Sequence, residues 1–294
     1  MSDELLVAGS IALDSLDGEF GSVREEMGGS ALYFALAASL IMPVRMVAPV
    51  GEESLGTLKR ILGTRPIDIE YLDVLDAPTY RWRALQKSGR NIDRGSEDVI
   101  YDRWEPRVPA DYKGWAFVGS MRPDRQAQLT IELRNSSLLA ADAMLSYVRS
   151  QPEEARDVLR HSRWYLCNHE EFAALGGRKP DDFRRRWSLD GLVVKAGPRG
   201  VTAYTELGSL HVPALLSQRV VDTTGAGDAF AAGMMAHWMA AHADPKLLHD
   251  SLVWGVACAS ITISDIGLRA IAAATREQLH DRVEEVDRCL RRES

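Results

Sequence analysis

Cysteine is scarce in this 294-residue chain: Cys167, Cys258 and Cys289 are odd in number and far apart. That excludes a disulfide framework and a zinc knuckle, and marks the three as small buried hydrophobes. His237, His242 and His249 lack the one-turn spacing that sets two imidazoles side by side toward a metal. Basic residues are also in deficit, 35 against 42 acidic ones, for a net charge of −7. This argues against a nucleic-acid or membrane-surface partner, so any phosphate must be held by locally concentrated donors. No apolar run approaches a membrane span, and the acidic start Met1-Ser2-Asp3-Glu4 does not read as a signal peptide. A cytoplasmic protein is expected. There is no internal repeat, low-complexity stretch or linker that would cut the chain. With 46% hydrophobic residues, a single domain over 1–294 with one large core is expected.

What is present is an alternation of short apolar runs with helical patterns. Leu5–Gly9, Arg45–Gly51, Trp115–Gly119, Trp164–Cys167 and Leu192–Lys195 read as buried strands. Pro49 suggests an edge or a strand end. Leu138–Ala141 is left open, because alanines are poor strand formers. Ala31–Leu40, Ala229–Ala241 and Leu252–Ile263 read as buried helices, and about Thr275–Arg291 as an amphipathic one. Gly197-Pro198-Arg199-Gly200 turns Leu192–Lys195 into a second strand, Val201–Tyr204. Alternating strands and helices predict a three-layer α/β/α, doubly wound, mainly parallel sheet, whose ligands bind beyond the strands' carboxyl ends. From about 73 to 109 the pattern changes to extended segments carrying Tyr80, Trp82, Val99, Tyr101 and Trp104, broken by Gly89-Arg90-Asn91 and Gly95-Ser96. With about 12–26, this island is the candidate β-strand lid; a satellite hydrophobic cluster is the alternative. Arg184-Arg185-Arg186 reads as a solvated helix face.

The most informative segment is Asp222-Thr223-Thr224-Gly225-Ala226-Gly227-Asp228, followed by Ala229-Phe230-Ala231-Ala232-Gly233. A glycine-rich turn that opens a helix leaves backbone N–H groups free and adds the positive end of the helix dipole, so Gly225, Ala226 and Gly227 form an anion cradle. Asp228 at its lip would repel a bound phosphate. Its use is instead to take a proton from whatever attacks the anion.

This segment resembles the C-terminal signature of the PfkB, or ribokinase-like, carbohydrate kinases, and further motifs follow that family's order along the chain. The resemblance implies that Asp14, in Gly9-Ser10-Ile11-Ala12-Leu13-Asp14, binds sugar hydroxyls, and that Gly28-Gly29 lets backbone approach the substrate. Here the chain departs from the family, carrying Tyr33 where an Asn is usual and lacking a Gly near Met42. Tyr33 is either a substrate contact or core packing. Asn168-His169-Glu170-Glu171 is similar to the family's Asn-x-x-Glu, implying that Asn168 and Glu171 organise Mg²⁺ through water; Asn168 also reads as a helix cap. Lys195, Gly197, Gly200 and Thr223 fall where the family borders ATP, and Ala257–Ser260 with Gly267 where it lines adenine. Asp222 and Thr224 match positions that hold a monovalent cation, K⁺, in many relatives. The resemblance thus implies an ATP-dependent kinase acting on a hydroxymethyl group of a small sugar, with a homodimer formed through the lid. An adenosine-type nucleoside kinase and a catalytically silent sugar- or nucleotide-binding relative are the alternatives.

Overall fold

The structure is a computed structural model that describes residues 4–18, 21–87, 90–215 and 219–293. Met1, Phe20 and Gly89, which figure in the segments read above, lie outside the described residues. Among the described residues thirteen strands occur, in the order β1 (Leu5–Ala8), β2 (Ala12–Gly18), β3 (Gly21–Gly28), β4 (Val44–Gly51), β5 (Ile67–Leu75), β6 (Tyr80–Lys87), β7 (Arg90–Glu97), β8 (Trp115–Val118), β9 (Leu138–Ala141), β10 (Trp164–Asn168), β11 (Gly191–Lys195), β12 (Val201–Thr205) and β13 (Gly208–Val212). Nine form one sheet, ordered β13-β12-β11-β10-β9-β8-β1-β4-β5, parallel from β5 through β11 and antiparallel at β12 and β13.

The buried strands feed two cores in strict alternation. Leu5 and Val7 of β1 join one apolar cluster, and Leu6 and Ala8 the other; Trp115 and Phe117 of β8 divide in the same way from Ala116 and Val118. Period-two side chains on a sheet covered on both faces give this split, so the expected three-layer α/β/α fold is what forms. The helices Ala226–Ala240 and Leu248–Thr262 lie in the first layer. They are apolar around most of their circumference because each is enclosed by neighbours. Leu138–Ala141 is a fully buried strand, since small side chains suit a strand held from both sides and tertiary pairing outweighs their weak propensity. Pro49 lies past the last β1 pairing, Ala8 with Val47, so the missing N–H falls at a strand end.

The chain winds outward from β1 in both directions, through β4 to β5 and through β8 to β11. The switch point is therefore at the carboxyl ends of β1 and β8. There Ser10, Ser30 and Ser120 are tied together: Ser30 Oγ donates to Ser120 O (2.8 Å), Ser10 N–H to Ser30 Oγ (3.0 Å) and Ser30 N–H to Ser10 Oγ (3.0 Å). This network fixes the start of the helix Ser30–Ala38 over the sheet edge.

The remaining strands form a second sheet, β3-β2-β6-β7, over its own small cluster of Leu16, Val23, Ala84 and Ile266. It contains Tyr80 and Trp82 of the aromatic island but not the rest. Val99–Asp102 is a 3₁₀ turn rather than a strand. Tyr101 and Trp104 are wholly buried in the second core, where Trp104 Nε1 donates to Asp73 (2.9 Å). The alternation that suggested strands there reflects burial of a connecting segment.

The two buried helices approach closely through Gly233 and Gly255. A Cβ on Gly233 would stand 2.6 Å from Trp254 O, and one on Gly255 2.7 Å from the Phe230 ring. Gly233→Val is expected to destabilise the protein by about 1–3 kcal/mol through overpacking, read as a lower urea midpoint at unchanged m-value.

Candidate active site

A cavity of about 370 Å³ opens at the carboxyl ends of the central strands, beneath the second sheet. It gathers Asp14, Gly29, Tyr33, Asn168, Glu171, Lys195, Gly197 and the whole of Thr223–Asp228, positions read one by one from the sequence. Gly28, Gly200 and Asp222 do not line it. A Cβ on Gly28 would fall 1.9 Å from Asp14 Oδ2, so this glycine is the floor on which the carboxylate rests. Gly200 closes the β11–β12 turn with φ +82°, where a Cβ would meet Val212 O at 2.1 Å.

Gly225 is left-handed (φ +71°) and begins the helix Ala226–Ala240. The Tyr33 ring lies where its Cβ would be, 2.2 Å away. Only glycine fits this junction. Tyr33 is 1% exposed in the core and also lines the cavity, its hydroxyl without a hydrogen-bond partner. Of the three cradle N–H groups, that of Ala226 is drawn back to Thr223 O at 3.3 Å.

Asp222 shapes the turn. Its Oδ1 accepts from Thr224 N–H (2.9 Å), Thr224 Oγ1 (2.7 Å) and Gln86 Nε2 (3.3 Å), and its Oδ2 from Gly267 N–H (2.9 Å). Asn91 Nδ2 donates to Thr224 Oγ1 at 2.7 Å. The second sheet is thereby bonded to the phosphate-type loop at two points. At the far side Asn168 caps the helix His169–Ala174, accepting from the N–H groups of Glu170 and Glu171 (both 2.9 Å) while Glu171 Oε2 accepts from Asn168 N–H (2.8 Å). The capping role is thus present, and it aims both side chains at the cavity.

The electrostatics are unusual. Asp14, Asp142 and Glu171 are buried, Asp228 is half-buried beside them, and Lys195 is the one cation among the described residues that line the cavity. Its Nζ is 4.0 Å from Asp142 Oδ2, and a Cβ on Gly227 would be 2.7 Å from it. Burial works to neutralise Lys195, but Asp142, Glu171 and Asp228 outweigh it and hold the ammonium charged. Burial pushes Asp14 up to about 8, aided by Asp222 and Asp228. Asp228 rises to about 6, again by burial, against the pull of Lys195. Asp142 is raised well above its usual range by burial and by Asp228.

Asp142, Asn91, Ser10, Ser30, Ser120, Met144 and Tyr147 line the cavity without having been read as site residues. Asp142 directly follows β9, the strand whose alanines hid it, and a carboxylate just past a buried strand was the available signal. Asn91 looked like an ordinary turn residue.

The sequence profile of the pfkB family of carbohydrate kinases matches residues 6–275. The chain belongs to this family. It is accordingly a carbohydrate kinase, a phosphotransferase with an alcohol as acceptor. An ATP-dependent ribose-1-phosphate kinase of Halopiger xanaduensis is 27% identical over 89% of both chains. A nucleoside kinase of Methanocaldococcus jannaschii is 26% identical over a stretch covering 35% of each chain. The crystal structure of a nucleoside kinase from that organism superposes with a TM-score of 0.79 at 20% identity, covering 97% of this kinase and 99% of the other. Fructokinase from Vibrio cholerae, bound to fructose, ADP and calcium, gives 0.80 at 16% identity, covering 96% and 99%. At these identities the two structures show the shared fold.

Raised carboxyl pKa values carry a stability consequence. Asp14 and Asp228 bind protons more tightly folded than unfolded, so they add stability at low pH that is lost as pH rises through about 6 and then about 8. The ligand-free kinase is expected to unfold at lower urea at pH 8.5 than at pH 5.5. Asp14→Asn is expected to gain about 1–3 kcal/mol at pH 8.5 and to flatten that trend.

Proposed function

We propose that this kinase transfers the γ-phosphate of ATP to a hydroxymethyl group of a small sugar. The observation that carries this reading is the convergence of Asp14, Asp228 and the 223–228 turn, distant in sequence, on one cavity. Asp14 accepts hydrogen bonds from acceptor hydroxyls, since an ionised carboxylate can take two from a vicinal diol. Its raised pKa is lowered again by such donors. Asp228, whose Oδ1 has no partner, removes the proton from the attacking hydroxyl. The turn at Gly225–Gly227 and the Lys195 ammonium receive the charge of the terminal phosphates.

Three carboxylates against one ammonium leave the site short of positive charge, and the donor set is oxygen only, which suits Mg²⁺. Among the described residues no three His, Cys, Asp or Glu side chains gather in metal-ligand geometry. Glu171, with Asn168, would therefore hold Mg²⁺ through water and the nucleotide's own oxygens. The ion would neutralise phosphate charge. Asp222 already meets four donors, so a monovalent cation beside it and Thr224 would support a loop that is closed without one. Exchanging potassium for tetramethylammonium is expected to change turnover no more than a few-fold.

The second sheet, over the cavity, is assigned as the lid that excludes water from the γ-phosphate. Its Ile92, 43% exposed on β7, supports pairing of two copies through its outer face. No helix among the described residues is long and apolar enough to cross a membrane. ATP consumption and an acidic surface suit the cytoplasm. A nucleoside acceptor is the second reading, supported by the aromatic wall of Tyr33, Tyr80, Trp82 and Tyr147.

Asp228→Asn is expected to keep most of the acceptor affinity and lower kcat by about two decades or more, as a missing general base does. Turnover equal to wild type would remove Asp228 from that role. In the wild type, kcat/KM for the acceptor should fall about tenfold per pH unit below about 8, where Asp14 takes up a proton, and more steeply below about 6, where Asp228 does too.

A further inference from the structure

We propose, resting on the reading just given, that the acceptor is uncharged and that the site rejects sugars already carrying a phosphate. The β2–β6 register sets Trp82 directly beside Asp14, and Tyr80 beside Ala12. The end of the cavity away from Lys195 is thus walled by Asp14, Tyr33, Tyr80, Trp82, Asn91 and Tyr147. Its polar equipment is a carboxylate and neutral groups. Tyr33 Oη, Trp82 Nε1 and Asn91 Oδ1 are buried there without partners, a set of donors and acceptors matched to hydroxyls.

No arginine or lysine among the described residues lines this end. Of the cations on the surrounding elements, Arg81 pairs with Glu25 (3.0 Å), Arg83 with Glu97, and Arg122 with Asp102 (2.6 Å) and Asp124 (2.8 Å), while Lys87, Arg94 and Arg149 are exposed and do not line the cavity. A phosphate dianion here would face Asp14 with nothing to neutralise it. Whether Asp14 is ionised or protonated, the dianion would give up its hydration with no cation in exchange, which costs at least about 100-fold in affinity. Lys195 cannot help, being placed among Asp142, Glu171 and Asp228 at the phosphoryl-transfer end. This separates the chain from its ribose-1-phosphate kinase relative, whose acceptor is named as a phosphate ester.

The test compares matched pairs that keep a free hydroxymethyl group: ribose with ribose 1-phosphate, fructose with fructose 6-phosphate, and adenosine with adenosine 3′-phosphate. Binding is measured by thermal shift without nucleotide and turnover by ADP formation with MgATP. The neutral member of at least one pair is expected to bind and turn over with kcat/KM at least about 100-fold above its phosphorylated partner. A phosphorylated member that binds or turns over as well as its neutral partner overturns the proposal. Neutral-only binding with no ADP formed upholds it and sinks the kinase reading instead. Trp82→Arg, which sets a cation beside Asp14, is expected to narrow the ratio at least tenfold, whereas Trp82→Phe should leave the discrimination intact. An unchanged ratio in Trp82→Arg of wild-type melting behaviour counts against electrostatic exclusion.

Discussion

Four carboxylates and a single ammonium, three of them buried and Asp228 and Lys195 half-buried, are gathered at the carboxyl edge of a parallel sheet, and holding them there shapes the surrounding structure. Isolated charges of this kind would be driven to the neutral form or to the surface. Here their positions are enforced by elements with no freedom to yield: Asp142 follows and Lys195 ends a strand paired on both sides, Glu171 is locked in a capping box, and Asp228 lies in the first turn of a buried helix. That arrangement costs folding free energy, because like charges are held together away from water with one counter-charge among them. The ligand-free protein is therefore less stable than its packing alone would allow.

The fold was legible wherever hydrophobic pattern and burial agree. Strands β1, β4, β8, β10 and β11 alternate between two cores, and the small-residue helices are enclosed, so composition and period point the same way. Reading failed at Val99–Trp104, and gave β9 only a weak strand assignment, because in both the local signal is the weaker one. Alanines make a strand when neighbours supply all the hydrogen bonds, and aromatic alternation makes a connecting segment when each ring has a pocket.

The site was legible where backbone constraint forces residue identity. Gly225 has no substitute between Tyr33 and a helix start, and Gly28 and Gly29 have none beside Asp14 and Ser10. Side chains that reach the cavity from a separate element left no such mark. Asn91 and Gln86 bond to the Asp222 loop across more than 130 residues of sequence, a relation that no local pattern encodes.

That pair of bonds also bears on how the chain can vary. A surface hairpin ordinarily tolerates changes in length, because its tip packs against little. In this protein the β6–β7 hairpin is tied through Gln86 and Asn91 to the turn at Asp222 and Thr224, and strand side chains alternate faces. A one-residue slip would turn both amides outward and leave the loop without its outer braces. The hairpin's register is thus as constrained as the glycines of the cradle, although it lies at the edge of the molecule.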